Sequence, residues 1–141
     1  MGVSTMDCSM DGYRFSDDKT LLQMDRILNW LADSYWANER SSGQIERSIE
    51  QSMCIGAYEE GSDRQAGFMR IITDYATFAW VCDVIVDPGE RGKGIGKNLM
   101  RALVAHPSLQ GVHMGLGTRD AHGLYEQYGF ERTEAMRRSA R

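Results

Sequence analysis

No apolar run in the 141 residues approaches the roughly 18 needed to cross a membrane, so a membrane span is not expected. Positive charge is not in excess either. Sixteen Lys and Arg face twenty Asp and Glu for a net charge of -4, which argues against nucleic acid or an anionic membrane as a general partner. The N-terminal MGVSTMDCSMDG has neither the basic nor the apolar region of a secretory leader. Met1-Gly2 meets Met6 where a myristoylation signal requires Ser or Thr. Cysteine is scarce: Cys8, Cys54 and Cys82 are odd in number and share no metal-ligand spacing. A disulfide framework and a metal site are therefore not expected, and a reduced, cytoplasmic setting is the simplest expectation. Of the two prolines, Pro88 ends a β-branched run and Pro107 stops a helical pattern. No repeat or low-complexity segment is present.

The length suits one domain burying about two-thirds of its unfolded surface, and 42% hydrophobic with 26% charged residues is ordinary for a globule. Residues 1–11 are polar and Met-rich and read as a flexible extension, with a single domain over 12–141. Tyr13–Ser16 alternates as an edge strand. Asp17-Asp18 offers an N-cap to a helix over Lys19–Asp33 with Leu21, Leu22, Ile27, Leu28 and Leu31 on one stripe. A second helix is predicted over Ser42–Gln51, strands over Met53–Tyr58, Gln65–Thr73 and Thr77–Val86, and a helix from Gly94 to His106. Val112–Gly117 reads as a strand, Asp120–Tyr128 as a short helix closed by Gly129, and Phe130–Glu134 as a last edge strand.

The richest stretch is DVIVDPGERGKGIGKNLMR, Asp83 to Arg101. A β-branched strand end runs through a turn into an amphipathic helix. Glycines at alternate positions 92, 94 and 96 remove the Cβ atoms that would keep a ligand off the backbone. Unpaired N–H groups and the helix dipole at that terminus favour an anion, so the stretch reads as a phosphate cradle or as a tight structural turn. A Walker A loop fails, because Arg91 stands where its first Gly is required and Asn98 follows Lys97. A dinucleotide fingerprint fails as well, with Lys97 or Leu99 where its third Gly would fall.

Val86-Asp87-Pro88 followed by Arg91, Gly94 and Gly96 resembles the acetyl-CoA pyrophosphate loop of the GNAT N-acetyltransferase superfamily. A second stretch about 25 residues on, Ala121-His122-Gly123-Leu124-Tyr125-Glu126-Gln127-Tyr128-Gly129-Phe130, is similar to that family's A-x-x-L-Y-E-x-x-G-F motif. The resemblance covers Tyr13 to Glu134. It implies an α/β (α+β) fold with a mixed, mostly antiparallel sheet in the order β-α-α-β-β-β-α-β-α-β, whose two parallel strands splay to form a notch for acetyl-CoA. It implies an enzyme that moves an acetyl group directly from the thioester to a primary amine of a small molecule or peptide. The alternative is a non-catalytic acyl-CoA-binding domain of the same fold. Homodimers are common in the family.

By the same resemblance, Val84, Ile85 and Val86 would pair with the pantetheine arm, and Arg91, Gly92, Lys93, Gly94, Ile95, Gly96 and Lys97 would hold the pyrophosphate. Tyr125 would stand near the coenzyme sulfur, where it either protonates the departing thiolate or merely packs under its helix and hydrogen-bonds the thioester. Thr118 occupies a position where the family often has Asn, keeping a hydroxyl but losing an amide donor. Asp83, beside the notch and on the opposite face from Val84, could take a proton through water, orient the acceptor's ammonium, or cap a bulge as a structural carboxylate. Cys82, taken to face the other way, reads as a small core residue. His122 is either a helix-surface histidine or one that reaches the site. The acceptor is expected against Tyr35, Trp36, Arg40, Tyr75 and Trp80, where aromatics favour a cationic amine or Arg40 a carboxylate; the alternative is that Trp36 and Trp80 simply fill core.

Overall fold

Residues 5–140 are described by a computed structural model. The strands β1 (Asp7–Met10), β2 (Tyr13–Ser16), β3 (Met53–Glu59), β4 (Gln65–Thr73), β5 (Phe78–Val86) and β6 (His113–Leu116) form one sheet in that spatial order. All neighbours are antiparallel except β5 and β6, which are parallel. The helices α1 (Met24–Ala32) and α2 (Ser42–Glu50) cover one face through Ile27, Leu31, Ile45 and Ile49 on Cys54 and Phe68. The helix α3 (Ile95–Ala105) covers the other with Ile95, Leu99, Met100 and Leu103 on Phe15, Ile55, Ile71 and Val81. A last helix, α4, is one turn and a half, His122–Glu126.

Two ends of the chain depart from the sequence expectation. Residues 1–4 of the expected flexible extension lie outside the described residues, but Asp7–Met10 is a strand paired with β2. The cause is local: Asp11 and Gly12 both have positive φ, 52° and 86°, the backbone of a two-residue hairpin that Asp-Gly adopts readily. Arg14 closes on Asp7 across the pair at 2.6 Å. At the other end Phe130–Glu134 forms no strand, since Glu131-Arg132-Thr133-Glu134 offers no apolar alternation to bury, and β6 is the sheet edge. The first helix is also shorter than expected. Asp18 caps a separate 3-10 turn, Lys19–Leu21, by accepting from the Thr20 N–H, and α1 begins only at Met24.

The feature that positions the site is a bulge in β5. Before it Ala79 and Val81 face the α3 core; after it Val84 and Val86 do, so the alternation changes parity at Cys82-Asp83. The register records the same shift, since Phe68 pairs with Ile85 but Arg70 with Cys82. Two residues of β5, Asp83 and Val84, stand there opposite one of β4, Met69. Asp83 takes the strain with φ of +50°, an uncommon conformation for a side-chain-bearing residue.

Candidate functional site

The parallel pair is short. β5 and β6 pair only from Phe78–Val81 to His113–Leu116, and beyond Leu116 the chain turns away. Ile85 and Val86 thus keep their β4 partners Phe68 and Gly67, while Val84, Ile85 and Val86 all line a cavity of about 1090 Å³ at the outer edge of the strand. This is the splayed notch expected from the sequence, and an extended ligand carrying amides can satisfy such an edge.

The strand then delivers the chain to the glycine turn. Asp87 fixes that exit: its Oδ2 accepts from Arg26 Nη2 at 2.6 Å and from Trp30 Nε1 at 3.2 Å, tying it to α1, and its Oδ1 accepts from the Gly89 N–H. The buried Glu90 carboxylate pins the turn from below, accepting from Tyr13 Oη, Arg64 Nη2 and Lys93 Nζ. Lys93 is therefore engaged by Glu90 at 2.7 Å, while Ile95 is buried in the α3 core. Gly92 and Gly94 have φ of +85° and +82°, which the turn itself requires of glycine. Gly96 is different. It lies in the first turn of α3 with no positive φ, and a Cβ there would meet Val86 Cγ2 at an ordinary 3.9 Å. The fold does not require glycine at 96, whereas a ligand seated on the helix terminus would. The first intrahelical acceptor, Gly94 O, takes the Asn98 N–H, so the N–H groups of Ile95, Gly96 and Lys97 point out of the terminus. With Arg91 on the cavity wall they form a site for an anion.

On the opposite wall Thr118 and Tyr125 line the cavity. Thr118 Oγ1 accepts from the Ala121 N–H at 3.0 Å and so closes the turn into α4. The Tyr125 ring leans on Phe130 with centroids 6.2 Å apart. Burial, with smaller contributions from Tyr35 and Asp120, raises its phenol above the usual value near 10. It is a proton donor throughout the neutral range.

The far end of the cavity is aromatic. Tyr35 and Trp36 meet edge-on at 5.1 Å, Trp80 lines the wall, and Arg119 lies 3.8 Å over the Tyr35 ring. Asp83 sits here, but its carboxylate accepts from Trp36 Nε1 (2.8 Å), from Arg40 Nη1 (2.9 Å at the nearer oxygen) and from Arg70 Nε (2.8 Å). Burial alone would raise its pKa. The hydrogen bonds and charges of Arg70 and then Arg40 overcome that and hold it below the usual carboxylate range. Of the three readings left open, the bulge carboxylate is the one the geometry matches; a group so held is a poor base.

Three other placements differ from expectation. Cys82 and Asp83 both line the cavity, because the bulge undoes the alternation that would have sent them to opposite faces. Tyr75 and His122 are not on the cavity wall: Tyr75 sits in the turn built on Asp74, φ +60°, and packs against the α3 core. Desolvation pushes the Cys82 thiol up to about 11 and Cys54 to about 12. Alkylation of the native protein at pH 8, mapped by peptide mass, is expected to label exposed Cys8 first and to leave Cys54 unmodified. Residues the sequence reading missed include Trp30, Arg119 and Arg137 on the wall and Arg70 beneath it. Only Arg70 carried a sign, a cation inside the apolar run Phe68-Met69-Arg70-Ile71-Ile72.

Comparison with known proteins places the fold in a family. A family model described as acetyltransferase (GNAT) domain matches residues 50–132. A Gibberella zeae protein named as a candidate acetyltransferase is 29% identical over 117 residues, 70% of this chain. The chain spans about two thirds, 65%, of that relative's length. The crystal structure of a candidate GNAT-family acetyltransferase from Xanthomonas campestris pv. campestris superposes with a TM-score of 0.87 at 41% identity, over 94% of this chain and 96% of the other. An aminoglycoside 6'-N-acetyltransferase complexed with coenzyme A shares the fold at TM-score 0.60 and 20% identity, over 74% of this chain and 61% of that one.

Proposed function

Because the chain belongs to the GNAT acetyltransferase family, we propose that it takes acetyl-CoA and transfers the acetyl group directly to a primary amine of a small molecule or peptide. One observation carries the reading: an unpaired strand edge leads to a helix terminus with no side-chain cap, with a phenol on the wall of the same cavity as the edge. The residues fit the coenzyme. The N–H groups of Ile95, Gly96 and Lys97, with Arg91, suit its pyrophosphate, and the edge of Val84–Val86 suits the pantetheine amides. When bound, the thioester supplies an activated acetyl group.

The chain's own contributions follow from placement. The exposed edge of β5 offers N–H donors to a carbonyl oxygen as charge develops on it. The Tyr125 hydroxyl holds a proton that a departing thiolate can take; a thiol near 8.5 is the stronger acid, so the transfer carries a modest cost that positioning offsets. Asp83 stays ionised and fully bonded, so removal of the amine's proton falls to water in the open cavity.

The test is a broad primary-amine panel with detection of released CoA thiol, beside calorimetry with acetyl-CoA. Thiol release with at least one amine supports transfer. Binding without release across the panel would mark the protein instead as a non-catalytic acyl-CoA-binding domain. Tyr125→Phe is expected to lower kcat about a hundredfold or more with coenzyme affinity retained. In the parent enzyme, activity that needs the protonated phenol persists through neutral pH and falls only as pH rises past 10. A Tyr125→Phe enzyme with unchanged turnover at every pH would exclude the proton-donor role.

A further inference from the structure

Asp83 is the carboxylate that would attract an ammonium, yet the structure leaves it no room for one. Oδ1 accepts from Trp36 Nε1 at 2.8 Å and Arg40 Nη1 at 3.1 Å; Oδ2 accepts from Arg40 Nη1 at 2.9 Å and Arg70 Nε at 2.8 Å. A carboxylate has about four lone-pair sites, and all are taken. Its side chain is 1% exposed. One negative charge here meets two guanidinium groups, so the cluster keeps one uncompensated positive charge.

That charge has an outlet. Arg70 is buried and committed to Asp83 and to Ser52 Oγ. Arg40 bonds only through Nη1; among the described residues nothing engages its Nε or Nη2, and its side chain is 30% exposed on the cavity wall. Arg119, stacked on Tyr35 at the same end, forms no ion pair among the described residues. The remaining wall carboxylates, Asp33 and Asp120, are exposed, where solvent screens them.

Resting on the acetyl-transfer reading above, we propose that the acceptor amine carries a carboxylate, received by the free donors of Arg40 with Arg119 beside it, and that Asp83 is the positioning residue that holds Arg40 there. A planar guanidinium edge matches a carboxylate with two parallel bonds. Trp36, held by the same Asp83, and Trp80 flank the acceptor's apolar part.

Matched triads decide it: phenylalanine, phenylalaninamide and 2-phenylethylamine, and the corresponding leucine set, compared by kcat/KM per free-base amine with thiol detection. The acid is expected to exceed both partners by about ten- to a hundredfold, the scale of charge-assisted hydrogen bonds. Equal rates within a triad, or preference for the amide or the decarboxylated amine, overturn the proposal. Peptide amides beginning with Glu or Gln separate a side-chain carboxylate from a free amino acid's own. Arg40→Gln is expected to collapse the acid-to-amide ratio toward one through KM, without moving the acidic limb of the pH profile, and Arg40→Lys to restore part of it. A moved limb, or equal loss on every amine, would return Asp83 to the role of base. Should Arg40→Gln fail to fold, Arg119→Gln at the exposed position carries the same ratio test. Calorimetry of CoA-loaded protein with the N-acetyl forms of the same triads reads recognition without turnover. Tighter binding of the acid supports the proposal and equal binding overturns it, even if no amine is acetylated and the transfer reading itself fails.

Discussion

Gly96→Asp is expected to weaken coenzyme A binding by about a thousandfold while leaving the fold at least as stable as the parent. The two effects separate because the backbone at 96 is ordinary helix and an added Cβ meets only Val86, at 3.9 Å. An acidic residue in the first turn of an 11-residue helix interacts favourably with the helix dipole, by about 0.3–1 kcal/mol. The same carboxylate would stand where the pyrophosphate is expected. Two like charges about 4 Å apart near a protein surface repel by roughly 4 kcal/mol, close to three decades of affinity. Calorimetry reads the binding loss and thermal unfolding reads the fold. Retained affinity would remove the helix terminus from the coenzyme site. Gly94→Asp is the less clear variant, since its φ of +82° adds backbone strain to any loss of binding.

Asp83→Ala is expected to destabilise the protein by about 3–5 kcal/mol, the cost of breaking a buried ion pair from one side. Arg70, 7% exposed, would keep only Ser52, and the bulge would lose the group that ties it to the α1–α2 connection. Denaturant unfolding should show a lower midpoint at unchanged slope. The pH dependence has a definite sign. The folded-state pKa of Asp83 is depressed, so its contribution is fully present above the unfolded value near 4 and is lost as pH falls through the lower folded value. Below pH 4 the parent should therefore lose stability more steeply than Asp83→Asn, which no longer titrates at 83. Parallel acid curves for the two would mean that the carboxylate is not held by its arginines in solution.

These two positions divide what could be read in advance from what could not. The glycine turn was legible because its determinants lie within a few residues: a strand end, a proline, alternate glycines and a helix start. The Ser41–Gln44 capping box of α2 and the Asp11-Gly12 hairpin are equally local. The latter is an Asp-Gly pair set between the facing residues Met10 and Tyr13. The absence of a last strand was legible in the same way, since Glu131-Arg132-Thr133-Glu134 offers no apolar alternation, and 130–134 buries little.

By itself, then, the sequence determined the glycine turn at the start of α3, the alternating core of β3 and the three helices that cover the two faces of the sheet. Short-range sterics and periodicity suffice for these. Only the tertiary structure decided what Asp83 does. Its partners lie 13, 43 and 47 residues away, and a one-residue bulge turns it and Cys82 to the same cavity. Charge is a property of a residue, but whether a charge is free to act depends on which other charges the folded chain brings against it.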